Sequence, residues 1–253
     1  MKHSRIVAAF AVAAVSTVLA PLAAQAHVAQ AAHSEPSHRP KTIVNVRVEG
    51  LGSTLLPETT VVTRATTIDK DGKPADTCEG DTAAVALQDV TKGAWVAGTF
   101  SSGLGYPVIG ILGVEYPFTS SYYWSFWIND KPATTGICGA TLTKGEHLLF
   151  FPQCSSESAS SCPGGTFDPA VLKLTGPKTA RAGKKIVLSV ASLANLTGKS
   201  SPASGVKLSA GGHTVTTGSS GKAKLAFAKA GTYKVVASAA DSIRDELTVR
   251  VSG

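Results

Sequence analysis

The feature that most constrains this chain is the run Tyr122-Tyr123-Trp124-Ser125-Phe126-Trp127-Ile128-Asn129-Asp130. It gathers two of the three tryptophans and two of the five tyrosines of a protein that is only 6% aromatic. Successive side chains of a strand point to opposite faces, so Trp124, Phe126 and Ile128 share one face while Tyr123, Ser125 and Trp127 share the other. The Asn-Asp that follows is a turn signal. A strand with rings on both faces cannot lie against solvent on one side in the ordinary way. One set is expected to fill a core and the other to cover or bind something.

The N-terminus reads as a secretory signal peptide over residues 1–26. Lys2 and Arg5 precede an apolar stretch from Ile6 to Ala20, and Ala24-Gln25-Ala26 is a small-x-small cleavage site. The apolar stretch falls short of the roughly 20 residues needed to span a bilayer, and no other segment is long enough. The mature chain is therefore expected to be secreted, or held at the cell surface, without a stable membrane span. Export permits disulfides, and four cysteines are present: Cys78, Cys138, Cys154 and Cys162. Of the three connectivities, 78 with 138 and 154 with 162 is the simplest, because each bond closes within its own segment. Zinc is disfavoured because no C-x2-4-C pair occurs.

The formal net charge of +7 falls by two, to +5, when Lys2 and Arg5 are removed. The remaining excess is scattered over the C-terminal half, from Lys173 to Lys234, with only Phe227 and Tyr233 among them and no aromatic interleaving of the kind base stacking needs. That pattern argues against nucleic acid. It allows weak contact with an anionic envelope polymer.

Residues 27–40 are rich in Ala, His, Ser and Pro and read as a flexible leader. Between 41 and 153 the order is strand (Ile43 to Val48), a second extended run (Thr59 to Thr63) after a turn at Pro57, then a helix. Asp81 is expected to cap that helix and Gly93 to end it. The Gly-rich segment, the aromatic strand and a last strand from His147 to Phe151 follow. This order predicts an α+β domain with a mixed sheet and one helix across it. Residues 154–169 are rich in Ser, Gly and Pro and read as a linker. Residues 170–253 hold about seven short β-runs, the spacing of an all-β immunoglobulin-like sandwich.

Several phrases carry a family resemblance, in order: Val46-Arg47-Val48-Glu49-Gly50, Thr59-Thr60-Val61-Val62-Thr63, the Cys78 loop running into the Thr82 helix, Tyr123-Trp124-Ser125-Phe126-Trp127-Ile128-Asn129, Gly136-Ile137-Cys138, and Leu142 through Phe150. On these residues the first domain resembles the transcobalamin C-terminal-like family of β-grasp domains, common in exported bacterial proteins. The C-terminal domain resembles a bacterial immunoglobulin-like module. In transcobalamins the matching domain covers a corrinoid against a helical barrel. No such barrel is legible here, so the resemblance implies the fold rather than the ligand.

Catalytic motifs are not found. There is no G-x-S-x-G, H-E-x-x-H or P-loop. His147 and His213 have no serine or cysteine partner at a known spacing. Asp69, Asp71 and Asp76 crowd one loop, but Lys70 and Lys73 interrupt them and no EF-hand Glu follows. His27, His33 and His38 lie in a segment too loop-like to build a rigid copper site. Leu56-Pro57-Glu58-Thr59 resembles a sortase signal but lies far from the C-terminus. No cofactor or metal is expected. The reading is an exported, non-catalytic binding or adhesion protein. Its candidate ligand-binding residues are Tyr122, Tyr123 and Trp127, for a glycan, peptide or small ligand. The alternatives are a structural spacer, a corrinoid or other small-ligand binder, and an unrecognised enzyme.

Overall fold

The computed structural model describes residues 42–64, 67–154 and 169–253. The segments expected to be a signal peptide, a leader and most of a linker lie outside the described residues. The first half runs β1 (Ile43–Glu49), β2 (Thr54–Val62), β3 (Thr67–Asp69), β4 (Thr77–Glu79), α1 (Ala83–Thr91), β5 (Trp95–Ala97), β6 (Val108–Ile111), β7 (Val114–Glu115), β8 (Tyr122–Ile128), β9 (Lys131–Pro132) and β10 (His147–Cys154). Its main sheet has the order β2-β1-β10-β8-β9. The central pair β1 and β10 is parallel, with Val46 beside Leu148 and Val48 beside Phe150. The other pairs are antiparallel. A mixed sheet with one helix is what the element order predicts.

Val44, Val46 and Val48 point from β1 into a core shared with Val85 and Leu87 of α1 and with Trp124 of β8. Ala83 through Leu87 are all buried, so the first turns of the helix are enclosed rather than amphipathic. That enclosure explains a departure from expectation. Asp81 does not cap the helix; it accepts hydrogen bonds from the Thr42 and Thr63 hydroxyls at 2.9 and 2.7 Å, tying the ends of β1 and β2 together. Thr82 occupies the N-cap position without a side-chain cap bond. The first helical amides instead donate to the carbonyls of Ala140 (2.9 Å from Ala83 N) and Ile137 (3.1 Å from Ala84 N). A loop replaces the capping side chain. The Cys78–Cys138 disulfide pins that loop to the helix entry. Cys154 is also disulfide-bonded; its expected partner, Cys162, lies outside the described residues. Pro57 lies inside β2 rather than at a turn. β2 is an edge strand, where a missing N–H costs little.

The second half contains β11 (Ala170–Thr175), β12 (Thr179–Arg181), β13 (Lys185–Leu193), β14 (Ser200–Pro202), β15 (Lys207–Ala210), β16 (His213–Thr216), β17 (Lys222–Ala226), β18 (Gly231–Ser238), β19 (Ser242–Ile243) and β20 (Asp245–Ser252). One sheet has the order β14-β13-β11-β19, with β17 also on β13; the other is β12-β20-β18-β15-β16. Alternate residues of both sheets meet in one core. Leu174, Leu188 and Leu225 come from the first sheet, and Leu208, Val235 and Val249 from the second. Each expected β-run of this half forms a strand, and the two sheets make a sandwich.

The halves share a seam. Trp127 and Phe151, on the sheet face opposite α1, pack with Val171, Leu193 and Ile243 of the second half. Beside this apolar patch Arg47 Nη1 meets Asp245 Oδ1 at 2.5 Å, and Arg244 Nη2 meets Glu49 Oε2 at 2.8 Å. Lys173 pairs with Asp130. The alternation Val46-Arg47-Val48-Glu49 resembles a strand wet on one side, yet Arg47 and Glu49 are both buried. Burial pushes the Glu49 carboxyl above its ordinary range against the pull of Arg47 and Arg244. Asp245 is raised for the same reason, again against Arg47.

Candidate functional site

The other face of β8 opens onto a cavity of about 730 Å³. Trp124 and Phe126 of β8 and Phe150 of β10 form its floor. Phe126 and Phe150 are stacked, their ring centroids 5.6 Å apart. Tyr116 stands at one side with its ring 5.5 Å from both Tyr122 and Trp124. Burial raises the Tyr116 phenol above its ordinary value, so the hydroxyl stays protonated near neutral pH. The remaining wall comes from Val108 and Ile109 of β6 and from irregular backbone around 99–107, 117–120 and 136–137.

That irregular wall is fixed at three points. Tyr106 is buried, and its hydroxyl donates to the Asp76 carbonyl, lies 3.0 Å from Asp71 Oδ1 and accepts from Lys70 N at 3.1 Å. Its ring meets Phe100 edge-on at 5.0 Å. Tyr106 N also points at Cys138 Sγ, 3.4 Å away. Gly105, at φ +77°, lies directly against Cys138, where a Cβ would overlap the sulfur. The disulfide therefore anchors the cavity wall as well as the helix entry. At the mouth, Phe118 is 77% and Leu104 63% exposed.

The three expected binding residues separate. Tyr122 is buried and lines the cavity, and Tyr123, 42% exposed, stands at its edge. Trp127 requires correction: only 1% exposed, it faces away from the cavity and seals the seam, because the second half covers that face of the sheet. Sequence reasoning missed Tyr116, Phe118 and the 99–107 wall. Their signal was the Gly-rich segment preceding an aromatic strand, which on its own names no side chain.

A smaller groove of about 440 Å³ runs along the seam. His147 opens β10 there as expected, with Nδ1 3.2 Å from Glu58 Oε2; both side chains are more than half exposed. Arg47, Asp130, Lys173 and Asp245 also line this groove, but they are bound to one another across the halves. Among the described residues no serine, threonine or cysteine lines it, so the His–Glu pair faces no hydroxyl or thiol nucleophile there. Among the described residues, no three His, Cys, Asp or Glu side chains cluster as metal ligands.

No protein-family model matches the chain, and no curated protein matches it. Among solved structures, it is similar to a candidate metal binding protein from Ruminococcus gnavus ATCC 29149, at 10% identity and a TM-score of 0.32, over 46% of this chain and 99% of that one. It is also similar to a CARDB domain of a Pyrococcus furiosus protein in complex with di-metal ions, at 14% identity and a TM-score of 0.23, over 34% of this chain and 89% of that one. Likeness at this level bears on neither ligand nor activity.

Proposed function

We propose that this is an exported, non-catalytic binding protein whose ligand sits in the aromatic cavity of the first half. The observation that carries the reading is the cavity itself: about 730 Å³, floored by the strand that stood out in the sequence. That volume falls in the range of small-molecule sites. The Cys78–Cys138 bond supports export, since such bonds persist in oxidising compartments. Among the described residues no helix is long and apolar enough to cross a membrane. The mixed sheet with a parallel central pair and one helix supports a β-grasp reading of the first half. The two-sheet sandwich supports an immunoglobulin-like reading of the second, whose role is to hold and present the first. Anionic envelope polymer remains a candidate contact for its scattered lysines.

The test is backbone-amide NMR of the mature protein with millimolar indole, tert-butylbenzene, cyclohexanol and N-acetylglucosamine, each added separately. At least one compound should shift resonances confined to residues 99–126, 136–137 and the neighbourhood of Phe150. Shifts confined to the seam, or no shifts from any compound, would overturn the reading.

A further inference from the structure

We infer that the cavity selects uncharged ligands with an aromatic or branched aliphatic body and rejects anions and cations alike. This rests on the cavity being the binding site, and it names the ligand class.

Among the described residues, no Asp, Glu, Lys, Arg or His side chain lines the cavity. Its polar side-chain groups are the hydroxyls of Thr99, Ser101, Ser120, Tyr116, Tyr122 and Tyr123 and the indole Nε1 of Trp124, a neutral buried donor without a hydrogen-bond partner. Ser120 Oγ already accepts from Tyr122 N at 3.1 Å. An ion entering this space would lose hydration with no opposite charge to replace it, a penalty a neutral molecule escapes. Apolar surface, by contrast, gains from burial against Trp124, Phe126 and Ile137.

Aromatic walls can also hold cations over ring faces, and the arrangement here counts against that use. Phe126 stacks on Phe150, while Tyr116 leans on both Tyr122 and Trp124. One face of each stacked ring is thus committed to a neighbour. Among the described residues, no carboxylate lines the cavity to complete a cation cage. The rings serve chiefly as apolar surface.

Matched probes isolate charge from shape. N-phenyl-1-naphthylamine and 8-anilinonaphthalene-1-sulfonate share a skeleton and differ by one sulfonate. tert-Butylbenzene and phenyltrimethylammonium differ only in the charged atom. The neutral naphthylamine should bind the wild-type protein with a rise in its emission, and the sulfonate at least tenfold more weakly. tert-Butylbenzene should displace the naphthylamine at a concentration at least tenfold below that needed with phenyltrimethylammonium. Thr99→Lys, at an exposed wall position, should narrow the gap between naphthylamine and sulfonate at least threefold. Equal binding of the sulfonate, or equal displacement by the ammonium ion, overturns the uncharged class while leaving the cavity as the site. Naphthylamine binding that is absent, or unchanged in both Thr99→Lys and Phe118→Ala, overturns the cavity reading itself.

Discussion

The two halves of the protein solve the same packing problem with different materials. The first encloses plates: Trp95, Tyr106, Trp124 and Phe150 lie around a short helix and a disulfide. The second interdigitates branched aliphatics from two facing sheets, with Phe227 at one end. Sheet against sheet closes evenly, because alternate side chains of both layers mesh. In the first half one face of the sheet is covered partly by irregular backbone, held by Tyr106 and the disulfide rather than by a ladder. The cavity lies under that part. A cavity arises where mainly loop backbone, not a second full sheet, completes the core.

The contrast can be tested by substitution, beginning at the seam. Trp127→Ala removes the largest ring between the halves and should cost about 5 kcal/mol, the upper end for truncating a buried ring. Chemical denaturation should then resolve separate transitions for the two halves; a single transition of unchanged midpoint would show that the seam is not what joins them.

Replacing Cys78 and Cys138 together with serine opens a loop of 60 residues and should cost about 4 kcal/mol by loop-closure entropy. Hydrogen exchange should report that loss in the first half and leave β13 to β20 protected. Next, Leu188→Ala in the closed core should cost about 3 kcal/mol, whereas Phe126→Ala, at a site where space already exists, should cost about 1 kcal/mol. Equal losses would mean that the cavity is not open in solution.

A pH series sharpens the picture of the seam. Glu49 and Asp245 have carboxyls raised by burial in the folded state. Their contribution to stability is therefore fully present below the unfolded-state pKa values and is lost as pH rises through the folded ones. The melting temperature of the wild type relative to Glu49→Gln should accordingly shift in favour of the wild type as pH falls from 7 towards 4. A shift in the opposite direction would mean that Arg47 and Arg244, not burial, govern these carboxylates. The smallest stability effect belongs to the cavity mouth. Phe118→Ala should change stability by no more than about 0.5 kcal/mol, as expected for an exposed position, while weakening naphthylamine binding at least threefold.

The periodic elements were legible in the sequence because alternation and turn residues are local. β1, α1, β8, β10 and the runs of the second half all fall where pattern placed them. His213 begins β16 straight after Gly211-Gly212, as the hairpin signal requires. What escaped was long-range. Asp81 has the right type and place for a cap, but Ala140 and Ile137 supply the acceptors. Arg47 and Glu49 resemble a wet face until Arg244 and Asp245 arrive from some 200 positions along the chain. Rings on both faces of β8 did signal that each face is covered, but not by what. Trp127 meets the second half, and Trp124 meets the cavity.

That division of labour along one strand limits how the sequence can change over time. Residues at even positions of β8 serve the cavity side, and the Trp127 face serves the seam. Inserting or deleting a single residue between Trp124 and Trp127 would exchange the two sets and spoil both surfaces at once. Point substitutions can retune the cavity without disturbing the seam, and the reverse holds too. Length changes within the strand cannot. Variation in length should instead collect in the turns and in the wall around residues 99–107, where the cavity can be reshaped while the two halves stay joined.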